Sequence, residues 1–320
     1  MTTLAALDQL VGLDSAKRVM RRLVTDGAGH SVLLYGAPGS GKNALARLLA
    51  QAWLCRNPDP RGACGDCQAC GAFERGTSTD FLHVRPGGAS NIIPLKAIGP
   101  SDQQKPEDPP HVQEFFRTLP LMARNRVVII EDAHRMNGSA FNALLKTLEE
   151  PLPHARLILT TPQVGGLPAT ILSRCLALAC ETPEFEDLRA TYPDVTPDEV
   201  RLAEGTPGRL KEILAHRVLY NRVIDFAAAL PGRPPGAALA CTEQLARIAE
   251  DLDDATKCGA RAANAEVLNL LAICLARNPA APPEWTHQVA EAHRRIVQNG
   301  NRAVVFDALF AATLMRNVAR

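Results

Sequence analysis

Four cysteines fall within sixteen residues, Cys55, Cys64, Cys67 and Cys70, spaced C-x8-C-x2-C-x2-C. Thiolates this dense, punctuated by Gly62, Gly65 and Gly71, suit a tetrahedral structural zinc, which needs four sulfurs at about 2.3 Å and keeps no position for water. The alternative for the same residues is a set of free or redox-active thiols. Just upstream, residues 36–43 read Gly-Ala-Pro-Gly-Ser-Gly-Lys-Asn, after an apolar run and before a helical stretch. In that context Gly36, Pro38, Gly39, Ser40 and Gly41 form a loop whose backbone N–H groups turn toward phosphate oxygens, while Lys42 supplies charge and the helix N-terminus a favourable dipole. The next position departs from the pattern. A Ser or Thr hydroxyl there ligates Mg²⁺, and this chain has Asn43.

A second apolar run, 127–131, ends in Glu131 and Asp132. At that place one carboxylate holds Mg²⁺ and its neighbour orients the attacking water, in the order Asp then Glu. Here the order is reversed, and because strand side chains alternate faces the shorter acid points where the longer base belongs. The bland reading of the pair is a cap on the following helix. The expected ligand is ATP or ADP with Mg²⁺, with little or no turnover by the chain itself.

The elements that must carry these residues follow from periodicity. Three continuously apolar runs, 31–35, 127–131 and 157–161, read as strands covered on both faces. Helices are expected over 43–54 and 139–149, the second with Ala140, Leu144, Thr147 and Leu148 on one face and ended by Pro151 and Pro153. The stretch 85–110 holds six prolines and reads as a long surface loop. Strand signals stop beyond Cys180. A short helical unit follows to about Leu214, then continuous helix broken at 231–235 and 278–283. The final helix, 302–320, carries Val305, Leu309, Ala312 and Met315 on one stripe. The expected division is an α/β domain over 1–182 containing the cysteine module 55–70, a helical lid over 183–214 and an all-helical domain over 215–320.

Composition fits a globular chain able to bury a core: 320 residues, 46% hydrophobic and 22% charged. A net charge of +1 excludes a surface that is basic throughout, though not a local basic patch. No apolar run approaches the ~20 residues of a membrane span, and the first ten residues lack the basic start of a secretory signal. A soluble, intracellular protein is expected. The other five cysteines, Cys175, Cys180, Cys241, Cys258 and Cys274, read as small buried apolar residues.

These motifs, in this order, resemble the clamp-loader branch of the AAA+ ATPases, specifically the zinc-bearing subunits of bacterial DNA polymerase III. Residues 142–151 (Asn-Ala-Leu-Leu-Lys-Thr-Leu-Glu-Glu-Pro) are nearly a signature of that group. Ser173, Arg174 and Cys175 match its Ser-Arg-Cys motif, and residues 299–307 are similar to its last collar helix, with Asp307 where Glu is usual. The resemblance implies an α/β P-loop AAA+ domain with a zinc module, a helical lid and a helical collar. It implies that Arg174 is an arginine finger acting across a subunit interface, a role that suits a fixed guanidinium beside transferring charge. Its bland role is closing a helix end or pairing with an acid. Thr160 or Thr161 would sense the γ-phosphate, or simply end a strand. Val11 and Gly12 would flank the nucleotide. Arg209 resembles the lid's second sensor, one place late, and reads equally as an exposed lid arginine.

Within the group, motor subunits of tau/gamma type carry Lys-Thr in the loop, Asp-Glu after the strand, an Arg-Pro-rich opening and a much longer chain. Asn43, the Glu131-Asp132 order and the 320-residue length match the delta-prime type instead. That type implies tau/gamma and delta as partners, with the sliding clamp and primed DNA reached through the assembled complex, in the bacterial cytoplasm at the replisome. Two alternatives stay open, a motor-type ATPase that tolerates Asn43 and a zinc-dependent DNA-binding protein with a vestigial loop. Against the latter, only Arg56, Arg61 and Arg75 lie near the cysteines.

Overall fold

The computed structural model describes residues 7, 10–27, 29–88 and 90–315. They form two compact units, Met1–Val195 with Gly205–Arg209, and Thr196–Glu204 with Leu210–Arg320. The first unit opens with helix α1 (Asp14–Asp26), strand β1 (Ser31–Tyr35) and helix α2 (Lys42–Leu54). Next come α3 (Gln68–Glu74), β2 (Phe81–Val84), α4 (Leu95–Ile98), α5 (Val112–Arg117) and β3 (Arg126–Ile130). The remainder is α6 (Gly138–Glu149), β4 (Ala155–Thr161), α7 (Ala169–Leu172), β5 (Leu176–Ala179) and α8 (Phe185–Thr191). The five strands make one sheet in the order β2-β3-β4-β1-β5, and every pairing is parallel.

Alternation of side chains across the sheet divides the core. Val32, Leu34, Val127, Ile129 and Ile158 pack with Met20, Leu45, Leu49 and Trp53 of α1 and α2 on one face. Leu33, Val128, Ile130, Leu157 and Leu159 pack with Ala140, Leu144 and Leu148 of α6 on the other. A parallel sheet covered on both faces is what the three continuously apolar runs require. The expected 127–131 strand lies one residue earlier, at Arg126–Ile130, and Glu131 stands just past it with its N–H still donating to the Val84 carbonyl at 2.9 Å. Strands β2 and β5 were not expected. Both are sheet edges, short and only partly buried, so neither carries a long apolar run.

Two expectations need correction. The stretch 85–110 is not simply a surface loop: it contains α4, and Ile93 and Ile98 are fully buried against Val112 and Met136. The five scattered cysteines are not all buried, since Cys258 is exposed while Cys175 and Cys274 are half-buried. Cys258 sits in the turn after a long helix ends at Thr256, where the chain passes through the left-handed Lys257.

The second unit is helical: α9 (Pro197–Leu202), most of α10 (Pro207–Ala215), α11 (Arg217–Ala229), α12 (Ala238–Thr256), α13 (Ala260–Leu275), α14 (Pro283–Val297) and α15 (Arg302–Met315). Its core includes Tyr220, Trp285 and an edge-to-face pair, Phe226 and Phe310, with centroids 5.7 Å apart. On α15 the buried stripe includes Val305 and Leu309 and widens to Phe306, Phe310 and Leu314, while Ala312 is half-buried. The side chain of Met315 and residues 316–320 lie outside the described residues. No helix of the described residues is long and apolar enough to cross a membrane.

Candidate functional site

The phosphate loop follows β1, between its neighbours β4 and β5, and runs directly into α2. Gly39 has φ of +81°, and a Cβ there would stand 2.7 Å from the Thr206 hydroxyl, so the loop depends on glycine at this position. The N–H of Gly208 donates to the Gly39 carbonyl at 2.9 Å, which ties residues 205–209 onto the loop. The main-chain N–H of Arg209 lies 3.1 Å from the place of that same Cβ. Leu13, following Val11 and Gly12, comes within 3.2 Å of a Cβ built at Gly41. Lys42 is buried, with Nζ donating to the Ala37 carbonyl at 3.3 Å. Burial lowers its pKa, and Asp132 works against that shift. Pro38 is exposed, and the Ser40 hydroxyl is fully buried with no partner among the described residues.

At the end of β3 the carboxylate expected to serve a metal is already engaged. Asn43 Nδ2 donates to Glu131 Oε1 at 2.6 Å. Arg85 Nε donates to Glu131 Oε2 at 3.0 Å, and His83 Nε2 lies 3.1 Å from the same oxygen. Desolvation lowers the pKa of His83, reinforced by Arg85 and opposed by Glu131. Asp132 takes a left-handed conformation, φ 50°, and its N–H donates to the Thr160 hydroxyl at 3.2 Å. Thr161 donates to the Gln163 carbonyl at 3.0 Å and stands 3.5 Å from His134 Nδ1. Magnesium does not fit this donor set. Asn43 turns its amide N–H rather than its oxygen to the shared carboxylate, and both Glu131 oxygens already accept from neighbouring groups.

Sequence reasoning missed His83 and Arg85. They stand two residues apart, at the end of β2 and just past it, so they share a face, but an edge strand of four residues gave no warning.

The four cysteine sulfurs converge. Sγ of Cys55 lies 3.4 Å from that of Cys64 and 4.0 Å from that of Cys67, and Cys67 lies 3.5 Å from Cys70. All four lie within 4.8 Å of one another. Tetrahedral zinc with bonds of about 2.3 Å holds its sulfurs about 3.8 Å apart, so the donor set fits. Cys55 ends α2, and Cys70 sits in α3, whose first residue follows Cys67. Two helices therefore bring the ligands together. Burial raises the Cys55 thiol to about 11 and also raises that of Cys70. For Cys67 burial acts upward too, but N–H groups of Arg56 and Cys70 outweigh it and bring the thiol down to about 6.

Arg174 lies between α7 and β5, at the end of the sheet opposite the loop. In the register, β5 begins with Leu176 beside Val32, whereas the loop begins after Tyr35, which pairs with Ala179. At about 3.3 Å per residue, this separates Arg174 from its own loop by more than 10 Å of strand. Its guanidinium bonds Glu149 Oε1 at 2.9 Å, the Thr170 carbonyl at 3.0 Å and the exposed Ser173 hydroxyl at 3.2 Å. Cys175 is half-buried, and its thiol is raised to about 12 by desolvation.

Residues 14–184 match the protein family described as "DNA polymerase III, delta subunit". The chain belongs to that family. Within it, the chain is similar to DNA polymerase III subunit delta' of Pseudomonas aeruginosa, with 37% identity over 169 residues covering 52% of this chain and 48% of the relative. It is also similar to subunit tau/gamma of Haemophilus influenzae, with 32% identity over 195 residues, 58% of this chain and 26% of that one. The matches thus span about half the length of the curated relatives, or less. A gamma subunit-related protein from Thermotoga maritima shares the fold of this delta-family chain, at a TM-score of 0.52 and 16% identity, over 95% of this chain and 99% of that structure. Together with the parallel sheet, the phosphate loop and the helical C-terminal unit, the family places the fold in the AAA+ class.

Proposed function

We propose that this chain is a delta-prime-type subunit of a bacterial clamp loader. It assembles with tau/gamma motor subunits and delta, helps open the sliding clamp for loading onto primed DNA, and works in the cytoplasm at the replisome. In this reading residues 183–214 are the lid and 215–320 the collar that joins neighbouring subunits. Cys55, Cys64, Cys67 and Cys70 hold a structural zinc that ties α2 to α3. Arg174, with its motif neighbours Ser173 and Cys175, completes an ATP site on an adjacent subunit.

The position of Arg174 carries the reading. It is anchored to three groups at the end of the sheet remote from its own loop, so any phosphate it serves belongs to another chain. The Glu131 network supports the complementary half, an own site that does not hydrolyse. A motor-type enzyme would need metal ligands where Asn43 and Glu131 bond each other.

The test compares two variants in one assembled loader. Arg174→Ala should lower clamp- and DNA-stimulated ATPase while leaving assembly intact. An arginine finger is worth roughly 10³–10⁵ at its own site, but the remaining sites keep turning over, so the total loss is partial. Lys42→Ala should change the rate far less. If Lys42→Ala abolishes ATPase and Arg174→Ala does nothing, the chain is a motor.

A further inference from the structure

We propose that Arg85 takes the place of the divalent cation in this phosphate loop, so that the chain binds a pyrophosphate group, as in a nucleoside diphosphate, without metal. The inference rests on the nucleotide-site part of the reading above and is independent of clamp loading. In a metal-dependent loop, a hydroxyl on the first helical turn and a carboxylate at the neighbouring strand end share one Mg²⁺. Here the corresponding residues, Asn43 and Glu131, are joined directly at 2.6 Å. The second oxygen of Glu131 accepts from the Arg85 guanidinium at 3.0 Å. A permanent positive charge therefore lies one carboxylate away from the first turn of α2.

Arg85 is suited to this substitution. Its side chain is 63% exposed. Among the described residues its hydrogen bonds run through Nε, so both Nη groups remain available for oxygens arriving from solvent. A guanidinium presents paired N–H donors that match phosphate oxygens and needs no inner-sphere ligands. Lys42, whose Nζ reaches the Ala37 carbonyl within the loop, supplies a second cation, and the backbone N–H groups supply the rest. A divalent ion entering here would have to displace Asn43 and then sit beside Arg85 and Lys42, with like charges opposing it at close range.

The test is titration calorimetry of the zinc-loaded chain with ADP and, separately, inorganic pyrophosphate. Each is measured with Mg²⁺ and in buffer freed of divalent ions by resin; a chelator would attack the cysteine site. The expected result is the same Kd in both buffers within about twofold, and Arg85→Ala, at an exposed position, should weaken metal-free binding about tenfold, as loss of one charge-assisted contact does. Two results would overturn the proposal: Mg²⁺ tightening either probe by about tenfold or more, as an inner-sphere ion bridging phosphates would, or Arg85→Ala leaving metal-free binding unchanged. Binding seen only with Mg²⁺ removes this inference but keeps the nucleotide site. No binding of either probe removes both, while the role of Arg174 is still decided by its own variant in the assembled complex.

Discussion

At Asn43 a carboxamide stands where a metal-binding hydroxyl is expected, and it closes onto Glu131 rather than leaving a gap. Restoring the hydroxyl alone should therefore change little. In Asn43→Thr, Glu131 is still held by Arg85 and lies against His83, and the isolated variant should stay below about 1 s⁻¹ in a steady-state ATPase assay. A rate at or above that value would show that Asn43 is the whole obstacle. The cysteines lend themselves to a second measurement. Cys64→Ser removes one of four convergent sulfurs, and the variant should purify with substoichiometric zinc by elemental analysis. Because structural zinc supplies folding free energy, the first unit should melt earlier while the helical signal of the second persists. Full zinc occupancy in the variant would exclude Cys64 as a ligand.

Among the elements, the segment between α5 and β3 shows a buried charge used to fix backbone. Asp80, fully buried, accepts N–H bonds from Leu121, Met122 and Ala123 at 2.7–2.8 Å and faces Arg126 at 3.9 Å. Asp80→Asn leaves the guanidinium without its acid and turns an amide toward three donors. It should cost about 3 kcal/mol in denaturant unfolding; a loss within error of zero would mean the segment holds without the charge. At α9, Thr196 and Glu199 form a reciprocal cap, and Glu199 also receives Arg217. Desolvation pushes the Glu199 carboxyl upward, but the bonds from Thr196 and Arg217 outweigh it and lower its pKa. Its stabilisation is thus complete above the ordinary carboxylate range near 4.3 and fades as pH falls through the depressed folded value. Glu199→Gln should lose about 1 kcal/mol at pH 7 and show a smaller further loss at pH 3 than wild type; equal losses on acidification would refute this.

The central strands could be read because continuous apolar runs admit few alternatives, and β1 spans the expected residues. Edge strands could not, since β2 includes His83 and β5 exposes Leu176 and Ala177. The loop motif and the convergence of the four cysteines could be read because their residues are close in sequence. The Arg85–Glu131 bond joins residues 46 apart, and no local pattern announces it.

For the whole molecule, a net charge of +1 leaves little long-range attraction for a polyanion. The isolated chain should bind duplex DNA at physiological salt no more tightly than the ordinary non-specific range of about 10⁻⁴–10⁻⁶ M. Fluorescence anisotropy reporting nanomolar affinity would revive the reading of a DNA-binding zinc protein.

Cys258 has a practical consequence. Of nine cysteines it alone is exposed, and four others converge in a set that could hold a metal ion, so a maleimide dye applied under mild conditions to protein purified with zinc should attach at one defined point of the helical unit. Paired with a second fluorophore on a subunit of the proposed loader, it would report by energy transfer whether the two assemble, without first stripping the other thiols by mutation.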